Sequence, residues 1–554
     1  MLIPFATSLL LSAIAPQSGL GGGLTAHVID SMSHGTLGDA QLSLDEAIRL
    51  ANGSLTLAQL SPAEAANVTG LGSFVDEVEM DPMVTPMITL EGSLTPITGQ
   101  AGSFVHVHAM VVGHGHLATR VVVDGGPFGN VFTLRTHRCE VAGLHITSGQ
   151  VAFDVETTQG GLIEALMARI DDCDMHGQTT AAVRLSATGN ARSSVMLHHC
   201  EFHNLQRAIL IDDQGVGGFS MLHAMHCHFD AVQTGCEASV SASGGAMSMA
   251  MFDRSEFKQG QQFLRVQRAP TGNQQYMVRL LHCDISTSGD AVDIQGNALG
   301  MTMVHHHHST LAAGLGQKAL AVGPKNALFD VHGSEMEFLG DVLVRCNLFT
   351  QRVWQQNNVY RNGVVTFDCD GSLPNIAQNH YANCQLVVPS TARSALRLRS
   401  CELVNSSVAG RSLFAPVAMQ DCWRSGASMS GFVSETQAAG GRFLSQASVS
   451  PTHVDLGGTF DLSSDAPQGV WNFWVMAVGV EQPNTTEEPF RYYGETLGAE
   501  TIWLTFGQTN VTMTMPNDPA FLSWEFYFAS ATWSQLPYGP EVTLPRGGRI
   551  QAIE

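Results

Sequence analysis

Between residues 170 and 340 the apolar positions come in short alternating bursts, and the bursts repeat at steps of 26 to 28 residues. With Cys173 as an anchor, the equivalent positions are Cys200, Cys227, Ser255, Cys283, Ser309 and Met336. Two residues after each anchor stand Met175, Phe202, Phe229, Phe257, Ile285, Leu311 and Phe338, all large and apolar. Three residues before come Ile170, Leu197, Ala224, Phe252 and Leu280. Further on come Ile209 and Ile211, Cys236 and Ala238, Leu264 and Val266, then Val292 and Ile294. Each of these pairs skips one residue, which is the period of a strand.

Several short strands per repeat, punctuated by Gly and Asn, predict a solenoid coil. A leucine-rich repeat of similar length would show its own Leu/Asn spacing and a helical stretch, and neither is present. One coil cannot bury its apolar side alone, so coils stack and like residues form interior columns. The predicted fold is all-β, a right-handed parallel β-helix over residues 105–455. At the spacing of paired strands, roughly a dozen coils would make a rod about 60 Å long.

The anchor column of Cys and Ser reads as small side chains stacked inside a bend. Parallel Cβ vectors suit the disulfide dihedral badly, so the 11 cysteines are expected to be mainly buried thiols. No C-x-x-C spacing points to structural zinc. Past residue 340 the repeat loosens: Cys384, Cys401 and Cys422 stand 17 and 21 apart, which predicts shorter or irregular coils. The polar segment 351–363 reads as a protruding loop.

The open ends of a β-helix must be covered. Residues 43–53 read as a short helix with a Ser43/Glu46 capping box and Gly53 as its stop, and Ser61-Pro62-Ala63-Glu64 starts another. One of them is expected to plug the N-terminal end, within a cap over 19–104. Residues 1–18 carry an apolar run ending near Ala13-Ile14-Ala15, the shape of a secretory signal. No Lys or Arg precedes that run, and Pro16 would follow the cut. No other run is long enough to span a bilayer.

Composition narrows the function. The formal net charge of -22 reflects scarce bases, with Lys only at Lys258, Lys318 and Lys325. Such a surface repels phosphate backbones and anionic lipid heads, so neither nucleic acid nor a membrane surface is an expected partner. Charged residues are only 14% of the chain, which excludes a charged disordered protein. Residues 456–554 hold five of the seven Trp, at Trp471, Trp474, Trp503, Trp524 and Trp533. Alternation in 503–506 and 524–528 predicts a small antiparallel β module there. Its rings are expected mainly in a core, with a sugar-stacking face as the alternative.

The segment 43–52 resembles the S-L-R-E-A-I-x-x-A-N cap near the start of many secreted bacterial β-helix repeat proteins of the pectate-lyase-like kind, with Asp45 where that pattern has Arg. Val121-Val122-Val123-Asp124-Gly125-Gly126 and Val141-Ala142-Gly143-Leu144-His145-Ile146-Thr147-Ser148-Gly149 are similar to their first coils. The tail around Met515-Pro516-Asn517-Asp518-Pro519-Ala520 resembles a C-terminal module on exported proteins of planctomycete-like bacteria. The resemblance implies a secreted or cell-surface location and brings no shared catalytic residues.

Two polar stripes flank the anchors and are expected to face outward. Before them stand Asp172, His199, His226, Arg254, His282, His308 and Glu335; after them Asp174, Glu201, His228, Glu256, Asp284, Thr310 and Glu337. Neighbouring imidazoles and carboxylates can share a metal or divide acid and base roles. In the polysaccharide lyases of this fold an Arg is the base and carboxylate-held calcium neutralises the substrate; Arg254 among Glu201, Glu256 and Asp284 would imitate that. A solvated polar stripe with weak pairing is the plainer expectation. His305-His306-His307-His308 invites a metal, with His282, Asp284, His306 and His308 as the candidate ligands, though alternate imidazoles of a strand face opposite ways. Gly113-His114-Gly115, Asp171-Asp172 and Asp212-Asp213 match fragments of a polygalacturonase signature in the wrong order and are read as chance. The leading expectation is a non-catalytic extracellular β-helix for adhesion, surface architecture or glycan contact, without a cofactor. The alternative is a carbohydrate-active enzyme, a lyase or hydrolase, using His199, Glu201, His226, His228, Arg254, Glu256, His282 and Asp284, with calcium if a lyase. A polysaccharide or a cell-surface component is the expected partner.

Overall fold

A computed structural model describes residues 23–553 apart from 101–102, 112–118, 158–166, 215–216, 245–246, 347–351, 371–373, 437–446, 451–452, 465–470, 479–500, 507–509, 516–524, 537–538 and 544–547. The signal-like segment 1–18 lies outside the described residues. The chain divides into two compact units. The first holds the described residues up to His332 with 337–352 and 368–372; the second holds 333–336, 353–367 and those from 374 on.

The first unit is the parallel β-helix that the repeat predicts. One coil consists of the strands Arg192–His198, Glu201–His203 and Arg207–Gln214. Each pairs in parallel with its counterpart in the next coil, Phe219–Met225, His228–Asp230 and Thr234–Val240. The register sets Leu197 on Ala224, Phe202 on Phe229 and Ile211 on Ala238, so the apolar columns are those of the repeat. Phe202 and Phe229 stack with centroids 4.7 Å apart, Phe257 continues the ring column, and Phe263 from the third strand packs edge-on against it. All four are fully buried or nearly so. Each such side chain contributes about 1.5–3 kcal/mol of burial free energy.

A sharp bend joins the first strand of each coil to the short second strand, and it explains two columns at once. The residue before the anchor takes a left-handed conformation at Gly143, Asp172, His199, His226, Arg254, His282 and His308. At Gly143 a Cβ would meet the Ala109 carbonyl at 2.5 Å, so glycine is required there. His and Asp are tolerated in this region better than most residues, which suits His at four of the later bends. The anchor then turns inward and caps a carbonyl. Cys200 Sγ donates to the Ile170 carbonyl at 3.4 Å and to that of His198 at 3.5 Å. Ser309 Oγ donates to the His307 carbonyl at 2.8 Å and accepts from the Cys283 amide at 2.9 Å. Thiol and hydroxyl stand in for one another in the column because both fit this small space and both can donate.

Ten cysteines have described side chains, and all ten are buried. Burial pushes the Cys173 and Cys283 thiols up to about 12. Only the thiolate reacts at an appreciable rate. The native chain is therefore expected to leave these ten thiols unmodified by a disulfide reagent at pH 8, and to expose them on unfolding. Rapid modification of several before unfolding would contradict the buried column.

The second unit repeats the coil with a shorter period. Trp354 pairs with Asn375, Asn375 with Arg397 and Arg397 with Ala418, steps of 21 and 22 residues. The expected loop at 351–363 is instead the strands Arg352–Gln356 and Val359–Arg361 around left-handed Asn357. Its polar residues build the bend. Asn358 is buried, and its Oδ1 accepts from the Met336 amide at 3.0 Å. The Asn358 amide donates to Asn379 Oδ1 at 2.8 Å, forming a ladder. Cys401 and Cys422 continue this anchor column, whereas Cys384 belongs to the next bend, where its amide donates to Ser406 Oγ. The uneven cysteine spacing mixed two columns of a regular coil.

The predicted helix is Leu44–Ala51, with its capping box formed between Ser43 and Glu46. It packs on the strands Leu24–Val28 and Val75–Met80. Asp45 has a use of its own, accepting from the Thr95 amide at 2.7 Å. Beyond residue 446 lie a three-stranded antiparallel sheet and a six-stranded, largely antiparallel one. The side chains of Trp471, Trp474, Trp503, Trp524 and Trp533 lie outside the described residues, as does 516–520 of the tail motif. No helix among the described residues is long and apolar enough to cross a membrane.

Candidate functional site

Register on the short second strands builds a polar column. Val122 pairs with His145, His145 with Asp174, Asp174 with Glu201, Glu201 with His228, His228 with Glu256 and Glu256 with Asp284. Two residues further along the same strands, His176 pairs with His203 and His203 with Asp230. Alternation places these positions on the outer face, while Met175, Phe202 and Phe229 between them are buried.

At the early coils the two columns meet in a cleft of about 350 Å³ lined by Thr119, Arg120, Val122, His145, Asp174, Glu201 and His203. His145 Nδ1 lies 2.8 Å from Asp174 Oδ2, and its Nε2 lies 2.9 Å from His176 Nε2. His203 Nε2 lies 3.3 Å from Glu201 Oε2 and 3.8 Å from Asp174 Oδ1, so one imidazole spans two carboxylates on successive coils. Arg120 Nη2 donates to Asp172 Oδ1 at 2.7 Å, and its side chain is only 8% exposed.

Charges within the cleft tune one another. Burial alone would push the Asp174 carboxyl up, but the His145 hydrogen bond, His203 and Arg120 bring it below the usual carboxylate range. Burial first, and then neighbouring His145, hold the His176 imidazole down. An ionised Asp174 therefore orients His145, whose other nitrogen meets His176. A carboxylate-oriented imidazole is equipped to bind hydroxyls and to accept a proton from one.

A second cluster sits at the bends beside this column. His198, His199 and His226 each bring a ring nitrogen within 4.8 Å of the others. His198 Nδ1 lies 3.0 Å from Asp171 Oδ1.

The residues singled out from sequence fall into separate small groups. His199 and His226 meet with centroids 5.0 Å apart, and His282 and His308 stack at 4.8 Å. His228 Nδ1 lies 3.1 Å from Glu256 Oε2, and Glu256 also pairs with Lys258. Arg254 is a left-handed bend residue, on the coil that follows His226. Asp284 lies beside Glu256 with its edge open to solvent, and partial desolvation and then that like charge raise its carboxyl. Glu201 and Glu256 thus each lie beside basic neighbours, His203 for the first and His228 with Lys258 for the second. His306 is 1% exposed and packs edge-on against Phe338. An ion held from outside by His282, Asp284 and His308 would not meet it. Gly113-His114-Gly115 lies outside the described residues.

Sequence reading missed Arg120, His145, His176, His203 and His198. It followed only the residues adjacent to anchors from Cys173 onward. Extending the period one coil back to Leu144 brings in His145, and the position three after each anchor brings in His176 and His203.

No family model matches the chain, and no curated protein matches it. Among solved structures, the chain is similar to a Pantoea stewartii protein, WceF, described as a glycan biofilm modifying enzyme with a bacteriophage tailspike-like parallel β-helix fold. The likeness has 8% identity and a TM-score of 0.13, and covers 92% of this chain and 53% of that one. The chain thus spans about half the length of that protein. At this level the likeness bears on neither substrate nor chemistry.

Proposed function

We propose that this chain is a secreted or cell-surface β-helix protein that binds a neutral polysaccharide at the cleft between Arg120 and His203. The observation that carries the reading is the convergence of Arg120, His145, Asp174, Glu201 and His203 from successive coils on one cleft, with His176 behind them against His145. Such a set offers donors and acceptors in alternation, the requirement for gripping vicinal hydroxyls. Its carboxylates and the net charge of -22 oppose a uronate chain, so an uncharged glycan suits it better. That same balance disfavours the lyase alternative, whose substrate is acidic.

A second reading, hydrolysis at the same cleft, is favoured by the Asp174–His145–His176 chain, which could take up and pass a proton. One experiment separates the two. The full chain and its Asp174→Asn and Glu201→Gln variants would be measured for binding to a panel of neutral and acidic polysaccharides, alongside reducing-end release. We expect saturable binding of a neutral glycan, weakened about 10- to 100-fold in each variant, the effect of losing one charge-assisted hydrogen bond. Release by the native chain and its loss in Asp174→Asn would establish the hydrolase. Binding of acidic glycans alone, or binding unchanged in both variants, would remove the cleft from the account.

A further inference from the structure

The coil geometry makes a place for a metal ion apart from the glycan cleft. At the bend before the anchors one left-handed residue stacks on the next from coil to coil, so the residues before Cys200 and Cys227 are neighbours across one rung. Both are histidines. His199 donates its amide to the Met225 carbonyl at 3.1 Å and His226 to that of Asp253 at 3.0 Å, which fixes where the two side chains leave the backbone. His198 ends the strand Arg192–His198 on its outer face, and its ring stacks on that of His199 with centroids 4.0 Å apart. The rings of His198 and His226 stand 5.9 Å apart. Three imidazoles thus face one another, though only two of them belong to the bend column.

We propose that His198, His199 and His226 form a site for a divalent transition ion of the zinc type, with Asp171 orienting His198. One ring nitrogen of each already lies within 4.8 Å of those of the other two. Around a tetrahedral zinc with bonds of about 2.0–2.1 Å, three nitrogens settle about 3.4 Å apart. Modest rotation of half-exposed side chains closes that gap. Asp171 Oδ1 at 3.0 Å from His198 Nδ1 leaves Nε2 as the donor atom to the metal, the arrangement of a carboxylate–histidine–metal relay. Imidazole ligands select zinc, copper or nickel over calcium and magnesium. Three protein ligands leave a fourth position for water. Asp171 and Asp172 on the preceding coil favour a cation here, and Arg254 on the following coil opposes one, which bounds the site on that side. The tetra-histidine run 305–308 differs: His306 is interior, so its outward imidazoles do not form such a trio.

The test titrates the full chain with Co²⁺, read by its visible absorption, and with Zn²⁺, read by calorimetry. The variants are His198→Gln, His199→Asn, His226→Asn, Asp171→Asn and, as a control, His308→Asn. Asn suits a left-handed bend, as it does at Asn357, so those substitutions leave the fold intact. We expect saturable Co²⁺ binding with a tetrahedral spectrum, lost in the His198, His199 and His226 variants and retained in His308→Asn. Asp171→Asn should weaken affinity about 10- to 100-fold. Should His198→Gln lower the melting midpoint of the metal-free chain, the two bend variants decide. No saturable binding by the native chain, binding that survives in both bend variants, or loss on His308→Asn instead would overturn the site.

Discussion

Replacing Asp213 by Ala is expected to destabilise the first unit by about 3–5 kcal/mol, the cost of stripping one partner from a buried charged network. Asp213 is fully buried, and its Oδ2 accepts from Ser220 Oγ at 3.0 Å and from Ser248 Oγ at 2.6 Å. Gln274 Nε2 in turn donates to Ser248 Oγ at 2.5 Å. Arg268, 8% exposed, donates to the Gln274 carbonyl and, at 3.3 Å each, to the Met301 carbonyl and Thr302 Oγ1. Burial pulls its guanidinium down to about 10, while the charge of Asp213 favours the cation. Burial pushes the Asp213 carboxyl up against the two hydroxyl bonds that hold it down. The consequence is an asymmetry between the two partners. Asp213→Ala leaves Arg268 charged, because a guanidinium cannot release its proton, and leaves two hydroxyls without their acceptor. Arg268→Met leaves a carboxyl that can take up a proton and become neutral. The arginine variant should therefore cost clearly less than the aspartate variant. Chemical unfolding of both variants measures this, and a shift under about 0.5 kcal/mol in Asp213→Ala, the size of an ordinary surface change, would show that the network holds nothing together.

Asp213 also marks where sequence reading stops. The pair Asp212-Asp213 looks uniform along the chain, yet the strand period sends Asp212 outward and Asp213 into the interior. The fold itself was legible because burial is periodic: Phe202, Phe229 and Phe257 recur at the coil length and stack at that length. The bends were half legible. Cys and Ser showed that the anchor was small and internal, but nothing in their identity showed that the residue before them would be left-handed. The candidate site was less legible still. His145 and His176 touch across a rung although 31 residues separate them. Only the exact register joins them, and register is a property of the stacked coils. The stripe that began at Cys173 thus started one coil too late to include His145. In the second unit the change of period from 27 to 21 or 22 hid a regular coil behind irregular cysteine spacing.

Stability should fall as pH drops from 6.5 towards 4, and two histidines supply a traceable part of the loss. His137 is 6% exposed, with Nδ1 2.8 Å from Ser194 Oγ. Burial, and then the charge of Arg192, lower its imidazole to about 4. His305 stacks on His332 at 5.0 Å and is lowered to about 4 by burial and then by that neighbour. In the unfolded chain each would titrate near 6.5. Above that value both states are neutral and the groups have no effect. Between 6.5 and 4 the unfolded chain takes up protons that the folded one refuses, which favours unfolding; below 4 both states are charged and the loss levels off. For His137 the ceiling is about 3 kcal/mol, at 1.36 kcal/mol per pH unit. Asp213, Asp284 and Asp293 work in the opposite sense, since burial raises their carboxyls and the folded chain binds their protons more readily. The test is therefore a difference: unfolding midpoints from pH 7.5 to 4 for the native chain and for His137→Gln, whose amide can still bond Ser194 and cannot titrate. The native curve should fall more steeply below pH 6.5, with the two curves nearly parallel above it. Parallel curves down to pH 4 would mean that His137 takes its proton in the fold as easily as in the open chain, and that burial at this bend does not exclude the charge.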